Sequence, residues 1–293
     1  HPYRYGIFFA NTGHLLDREL TIAEILKERG YATGHFGKWH LGTLTKTGLD
    51  SNRGGARNQK HFSPPWTNGF ESNFSTEAKT PTFDPYLRPK NENGKTWWDP
   101  VKDASAAIPY GTRYWKKGQA ISGPLRGDDS RIIMDAALEF LRHSTDAKRP
   151  FLAVIWFHAP HLPVVASSGD RKPYQMHDKY TQHYLGSITA LDRQVGRLRS
   201  ELTRLGAADN TLLMFCSDNG PEGKDNAPGI AKPLRGRKRS LYEGGIRVPG
   251  LAVWPGRIKP GSETNTPACT HDYLPTILAA ADADYPDARP LDG

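Results

Sequence analysis

Apolar positions along the chain fall into short continuous runs and longer stretches with a helical period. Residues 151–157 and 211–216 are continuous apolar runs of strand length, of the kind buried on both faces of a parallel sheet. Residues 31–36 and 250–254 are two further strand candidates. Thr21 and Glu24 make a capping box for a helix running to Arg29, with Ile22, Ile25 and Leu26 on its buried side and Gly30 as its stop. Asp128 and Asp129 suit the start of a second helix, over 130–143, that buries Ile132, Ile133, Ala136, Ala137 and Phe140. The longest helix is expected over about 179–205. Its residues Tyr184, Ile188, Leu191, Val195, Leu198, Leu202 and Leu205 alternate spacings of four and three. That one-sided stripe reads as core packing and nothing more, and Gly206 ends the helix.

The strand–loop–helix alternation predicts an α/β fold, a doubly wound, mostly parallel sheet with helices on both faces. The 293 residues can form one domain of this kind. In such sheets ligands bind beyond the carboxyl ends of the strands. Three strands here each end in a polar cluster: Lys38 with His40, His158 with His161, and Asp218 with Asn219. Residues 43–127 interrupt the alternation with a Gly-, Pro-, Asn- and aromatic-rich insert that has no sustained period. A stretch that long is uncommon unless functional, so it is expected to form loops and short strands framing a substrate cleft. Its Trp66, Phe70, Phe74, Trp97, Trp98 and Trp115 could stack on sugar rings or pin the loops down.

Composition narrows the partners. The apolar fraction is only 37%, with 29 glycines and 23 prolines, yet seven tryptophans and eleven phenylalanines need a core. These numbers point to long surface loops rather than disorder. The net charge of +8 favours an anionic partner. Basic residues are scattered except at 235–239 and no nucleic-acid-binding module is visible, which favours an acidic substrate over nucleic acid. Two cysteines exclude a disulfide scaffold; Cys216 lies in an apolar run and reads as a core residue, and a bridge to Cys269 is left open. No segment is long and apolar enough to cross a membrane. The chain opens at His1 without a methionine and closes on Pro290, Leu291, Asp292 and Gly293, so both ends look cut and targeting signals are not informative.

The residues that could carry chemistry sit in the strand-end clusters. In the glycine-rich segment 34–42, Lys38 and His40 are two residues apart; in an extended chain they point the same way, so one oxyanion could touch both. Asp218 and Asn219 offer a carboxylate and an amide oxygen on a tight turn, ligands that suit a hard cation such as calcium. His161 lies in a stiff proline-flanked loop. The basic run 235–239 could be solvated or could bind a polyanion, and Glu243-Gly244-Gly245 before a strand resembles a shaped active-site loop.

Taken in order, the segment around Lys38 and His40 with Leu41 and Gly42, the segment Ala159–His161–Pro163, the segment 217–222 and the segment Lys238–Glu243–Gly245 resemble the active-site segments of the sulfatases. The resemblance covers nearly the whole chain. It implies an alkaline-phosphatase-like fold and hydrolysis of sulfate esters, with Asp218 and Asn219 as calcium ligands. Lys38 and Lys238 would hold sulfate or leaving-group oxygens, His40 would support the nucleophile, and His161 would bind sulfate or protonate the leaving alcohol. Cations fixed where charge grows on the bridging oxygen favour the transition state over the ground state, and calcium would polarise the sulfate.

Two family elements are missing. The formylglycine nucleophile arises from a Cys or Ser in a Cys-x-Pro-x-Arg segment, and no such segment occurs here; the acidic pair that completes the calcium site is absent as well. His1-Pro2-Tyr3-Arg4 resembles the stretch just downstream of the family's nucleophile segment. The chain is therefore expected to be a sulfatase fragment, incomplete at both ends, inactive alone and a weak binder of calcium. The resemblance further implies a sulfated carbohydrate or aryl sulfate as substrate and a periplasmic or secreted location. Two alternatives are a phosphatase or phosphodiesterase of the same superfamily, and a non-catalytic module that binds sulfated glycans. Oligomeric state is not encoded in any pattern found.

Overall fold

The computed structural model describes residues 13–47, 56–223 and 227–293. The His1–Arg4 resemblance and residues 48–55 of the insert fall outside them. In chain order the main elements are α1 (Ile22–Glu28), β1 (Ala32–Lys38), β2 (Ser72–Thr76), β3 (Leu87–Pro89), β4 (Ala107–Pro109), β5 (Trp115–Lys116), β6 (Gln119–Ala120), α2 (Asp129–Asp146) and β7 (Phe151–Trp156). They are followed by α3 (Ser168–Arg171), α4 (Lys179–Arg204), β8 (Leu213–Cys216), α5 (Glu243–Ile246), β9 (Gly250–Val253) and α6 (Tyr273–Ala280).

β1 lies between two parallel neighbours, β2 and β7; β5 and β6 extend the sheet antiparallel, in the order β6-β5-β2-β1-β7. The expected capping box closes α1: the Glu24 amide donates to Thr21 Oγ1 and the Thr21 amide to the Glu24 carboxylate. α2 and α4 cover one face, packing Ile133, Met134, Ala137, Leu141, Leu198 and Leu202 against Ala32 and Phe36. A smaller core holds Ala23 of α1 with Trp39, Leu44 and Phe70. The described part is thus a mixed α/β layer structure with a mostly parallel sheet, as the alternation predicts.

β2 lies inside the supposed insert and has no apolar signature, because the β1–β2 seam is polar. Thr33, His35, Asn73, Ser75 and Thr76 are all buried there. His35 Nδ1 lies 2.8 Å from Ser75 Oγ, Thr33 donates to the Gly69 carbonyl, and Asn73 to that of Trp115. These bonds satisfy buried polar groups across the seam, so the strand needs no hydrophobic stripe.

Two expectations are corrected. The run 211–216 does form a strand, but β8 pairs antiparallel with β9 in a separate two-stranded sheet and is not hydrogen-bonded into the central one. The stripe of α4 also differs. The buried residues are Gln182, His183, Gly186, Ser187, Ala190 and Gln194, with Leu198 and Leu202, whereas Tyr184, Ile188, Leu191 and Val195 line a large cleft. Small and polar residues let α4 approach its neighbours closely, and the bulky ones face the open side. Both cysteines are free thiols, and Cys216 is only half-buried.

His35 makes folding sensitive to acid. Its ring is enclosed by Trp39, Phe70 and Trp156 at centroid distances of 5.0, 5.6 and 5.0 Å. Burial pushes its pKa from 6.5 down to about 3. Below pH 6.5 the unfolded chain takes up a proton that the folded one refuses, so stability falls as pH drops. From pH 6.5 to 4 this one group should remove about 3 kcal/mol, at about 1.4 kcal/mol per unit. Urea unfolding at pH 7 and pH 4 measures the loss, and His35→Gln should flatten the dependence by one proton.

Candidate active site

Lys38 is the last residue of β1, and the backbone just before it is pressed against β7. A Cβ on Gly37 (φ +101°) would lie 2.0 Å from the Trp156 carbonyl oxygen, so only glycine fits. Beyond Lys38 the chain is pinned by backbone bonds from Trp39 to Thr76 and from His40 to Glu77, and by the Trp39 indole donating to the Ser63 carbonyl at 2.7 Å. The extended geometry assumed for Lys38 and His40 ends here. His40 has φ of +52°, so strand alternation does not set its direction. Both residues nevertheless line the same cleft.

At the end of β7, His158 and His161 take different roles. The His161 amide donates to the His158 carbonyl at 2.7 Å, and His161 Nδ1 donates to the Leu162 carbonyl at 2.7 Å. That bond fixes the proton on Nδ1 and leaves the lone pair on Nε2. Burial, then the charge of Lys38, with further help from Lys238 and Lys79, pushes the His161 pKa down to about 4 against the pull of the Leu162 carbonyl. His161 is therefore neutral at pH 7 in the empty pocket.

His158 is fully buried and turned the other way. Its Nδ1 lies 2.6 Å from Asp129 Oδ2, and Asp129 Oδ1 accepts from the Tyr114 hydroxyl at 2.6 Å. Its Nε2 lies 2.8 Å from Thr76 Oγ1 and 3.2 Å from the Ala78 carbonyl. Thr76 already donates to Ala78, so both groups can only accept from Nε2. His158 and Asp129 thus form a dry, fully bonded pair. Breaking such a pair from one side costs about 3–5 kcal/mol. The pair joins the ends of β2 and β7 to the start of α2, and so seats the His161 loop.

β8 runs out into Asp218 and Asn219, and this turn is packed directly on the chain that carries Lys238. A Cβ on Gly220 would lie 1.9 Å from the Gly244 carbonyl oxygen, and one on Gly244 would lie 2.1 Å from that of Gly236. Gly220 donates to the Gly245 carbonyl and Gly244 to that of Arg235, while the Lys238 amide donates to the Pro221 carbonyl. Arg237 ties the same loops together through the Gly229 and Glu222 carbonyls. The basic run is therefore partly structural. Lys238 Nζ itself lies 3.5 Å from Glu222 Oε2, and Arg239 Nη1 2.5 Å from Glu222 Oε1.

Lys38, His40, His161, Asp218, Asn219 and Lys238 all line one cleft of about 3060 Å³. The structure thus brings the six sequence-predicted residues together. Lys79, just past β2, is a cation that no sequence pattern flagged; its carbonyl accepts from Thr112 Oγ1 at 2.8 Å. Only recognition of β2 as a strand could have pointed to it. The insert aromatics pin loops: Phe70 and Trp98 are buried, Phe74 stacks on Tyr114 and Trp97 on His183. None of the six lines the cleft.

Calcium is tested by the oxygens on offer. Asp218 lies at the surface of the cleft, and Asn219 uses its NH₂ on the Gly220 carbonyl, leaving its amide oxygen as an acceptor. The donor type fits, but a calcium site takes about six to eight oxygens. Among the described residues no group of three or more His, Cys, Asp or Glu side chains is gathered to hold a metal. Asp218 and Asn219 thus offer two oxygens of the right type, short of a calcium shell among the described residues.

Comparison with known proteins agrees with this geometry. A family model described as Sulfatase matches residues 2–283. Arylsulfatase A of Homo sapiens is 31% identical over 310 residues, covering 100% of this chain and 54% of the relative. Arylsulfatase G of Mus musculus is 29% identical, covering 97% and 53%. The chain thus spans about half the length of these relatives. Among solved structures, Ps i-CgsB in complex with k-i-k-neocarrahexaose superposes with a TM-score of 0.79 at 28% identity, over 100% of this chain and 61% of that one. A phosphonate monoester hydrolase from Silicibacter pomeroyi, at 19% identity and a TM-score of 0.60, shares the fold. With the family model matching residues 2–283, the chain belongs to the sulfatase family.

Proposed function

We propose that the protein to which these residues belong hydrolyses sulfate esters of carbohydrates. The observation that carries this reading is that Lys38 and Lys238 line the cleft with His161 and, with burial as the larger cause, hold it neutral, Lys79 adding a smaller effect. A sulfate ester is a monoanion whose charge moves onto the bridging oxygen as the bond breaks. Fixed positive charges at both ends of that path favour the transition state. An anion seated against the lysines offsets the charge that keeps His161 deprotonated, so Nε2 gains a proton that it can donate to the leaving oxygen. In this reading His40 supports the attacking group.

In this reading the attacking group is a formylglycine supplied from outside these residues. Asp218 and Asn219 give two oxygens to a calcium ion, which would polarise the sulfate when bound. The carbohydrate class is supported by the neocarrahexaose complex of the similar Ps i-CgsB and by the cationic cleft. A periplasmic or secreted location goes with the same proposal.

In the longer protein, Lys38→Ala and Lys238→Ala should each slow sulfate release from a carbohydrate sulfate ester by about 10²–10³-fold, the range for losing one transition-state donor. Preferential hydrolysis of phosphate monoesters by the unmutated protein would overturn the assignment. NMR titration of these 293 residues should place His161 near pH 4 and move it upward when a sulfate ester is added. Calorimetry should find calcium binding to them no tighter than about 10⁻³ M, the weak end of protein calcium sites, and Asp218→Asn should abolish it.

A further inference from the structure

We propose that Thr76 is a positioning residue: its hydroxyl sets His161 against Lys38 by tying the loop that carries His161 to the strand that aligns Lys38. The consequence for catalysis rests on the reading of His161 as the group that protonates the leaving oxygen.

β1 separates β2 from β7 in the sheet. Lys38 leaves β1 opposite Thr76 of β2, and the Trp39 amide donates to the Thr76 carbonyl at 2.8 Å. On the other side, the pairing of β1 with β7 ends at Gly37 and Trp156. His161 lies five residues past Trp156, so the ladder does not reach it. A side chain does. His158 Nε2 donates to Thr76 Oγ1 at 2.8 Å, and the His158 carbonyl accepts from the His161 amide at 2.7 Å. Because β2 and β7 flank β1, the bond from His158 to Thr76 spans β1 at the level where Lys38 emerges. Thr76 thus holds the Lys38 segment with its backbone and the His161 segment with its side chain.

The surroundings make this link stiff. Thr76 and His158 are both fully buried, so water does not compete for the bond. The Thr76 hydroxyl donates to the Ala78 carbonyl at 2.8 Å, which turns its lone pairs toward Nε2. The other ring nitrogen of His158 lies 2.6 Å from Asp129 Oδ2, so the imidazole is held at both ends. A valine would fill the space of Thr76 but would leave Nε2 with the Ala78 carbonyl alone, at 3.2 Å. No buried donor would lose its last partner, so the fold should survive the change while the loop loosens. Proton transfer needs the donor within hydrogen-bond reach of the leaving oxygen, and a misplacement of about 1 Å can cost about a hundredfold. Lys38 is aligned by the Thr76 backbone, which the change leaves in place. Loss of the hydroxyl should therefore slow the proton step and spare binding.

The test compares Thr76→Val with Thr76→Ser in the protein to which these residues belong. A carbohydrate sulfate ester has an alkoxide leaving group that needs a proton, whereas nitrophenyl sulfate does not. Thr76→Val should lower kcat for the carbohydrate ester at least about tenfold with KM little changed, and leave nitrophenyl sulfate within about twofold. Thr76→Ser keeps the hydroxyl and should match the unmutated protein with both esters. An equal fall with the two esters in Thr76→Val, or a tenfold fall in Thr76→Ser (about the loss set for the valine), overturns the proposal. A readout without turnover separates the link from the assigned reaction. By NMR, His161 should titrate near pH 4 in the unmutated protein and in Thr76→Ser, and at higher pH in Thr76→Val, where a loosened loop is better hydrated and farther from Lys38. An unchanged titration in Thr76→Val overturns the positioning role. That shift, in a protein that cleaves neither ester, supports the link and overturns the assignment of sulfate-ester hydrolysis instead.

Discussion

The parallel register of β1 between β2 and β7 sets where each functional side chain can go. Gly37 stands opposite Trp156 and Lys38 opposite Thr76, so three strands finish at one level and their loops rise from a common floor. A slip of one residue would turn Lys38 to the other face and bring a side chain against the Trp156 carbonyl. The polar seam of His35, Asn73 and Ser75 enforces the register more strictly than an apolar stripe would. Buried hydrogen bonds tolerate no sliding, whereas methyl groups can repack.

Above that floor the pocket is assembled from like charges. Burial first, and the charges of Lys38, Lys238 and Lys79 after it, hold His161 in its neutral form. Neighbouring contacts show what restrains the cations meanwhile: Glu222 balances Lys238, and the dry Asp129–His158 pair holds the His161 loop in place without adding net charge. The scaffold thus positions these loops largely through buried and paired groups.

Much of this was legible in the sequence. α1 and its capping box, β1, α2, β7 and α4 are readable from periodicity and caps, and the residues of the strand-end clusters line one cleft. The parts that were not legible have specific causes. β2 is polar, so Lys79 at its end stayed hidden. His158 and His161 look alike in sequence, and only the positions of Asp129 and Thr76 decide which is buried. The stripe of α4 announces an apolar face but not what lies against it: Tyr184, Ile188, Leu191 and Val195 line the cleft. Periodicity reports a face, not the identity of its cover.

The contact of Gly220 with Gly244 joins two loops backbone to backbone, with no side chain between them. The turn of Asp218 and Asn219 and the strap that carries Lys238 are therefore joined at a seam where a side chain on either glycine would meet backbone. Changes that spare this seam are open to exposed positions such as Ile230 and Leu241. A fold that welds its reactive loops in this way separates the group that is transformed from the molecule that carries it.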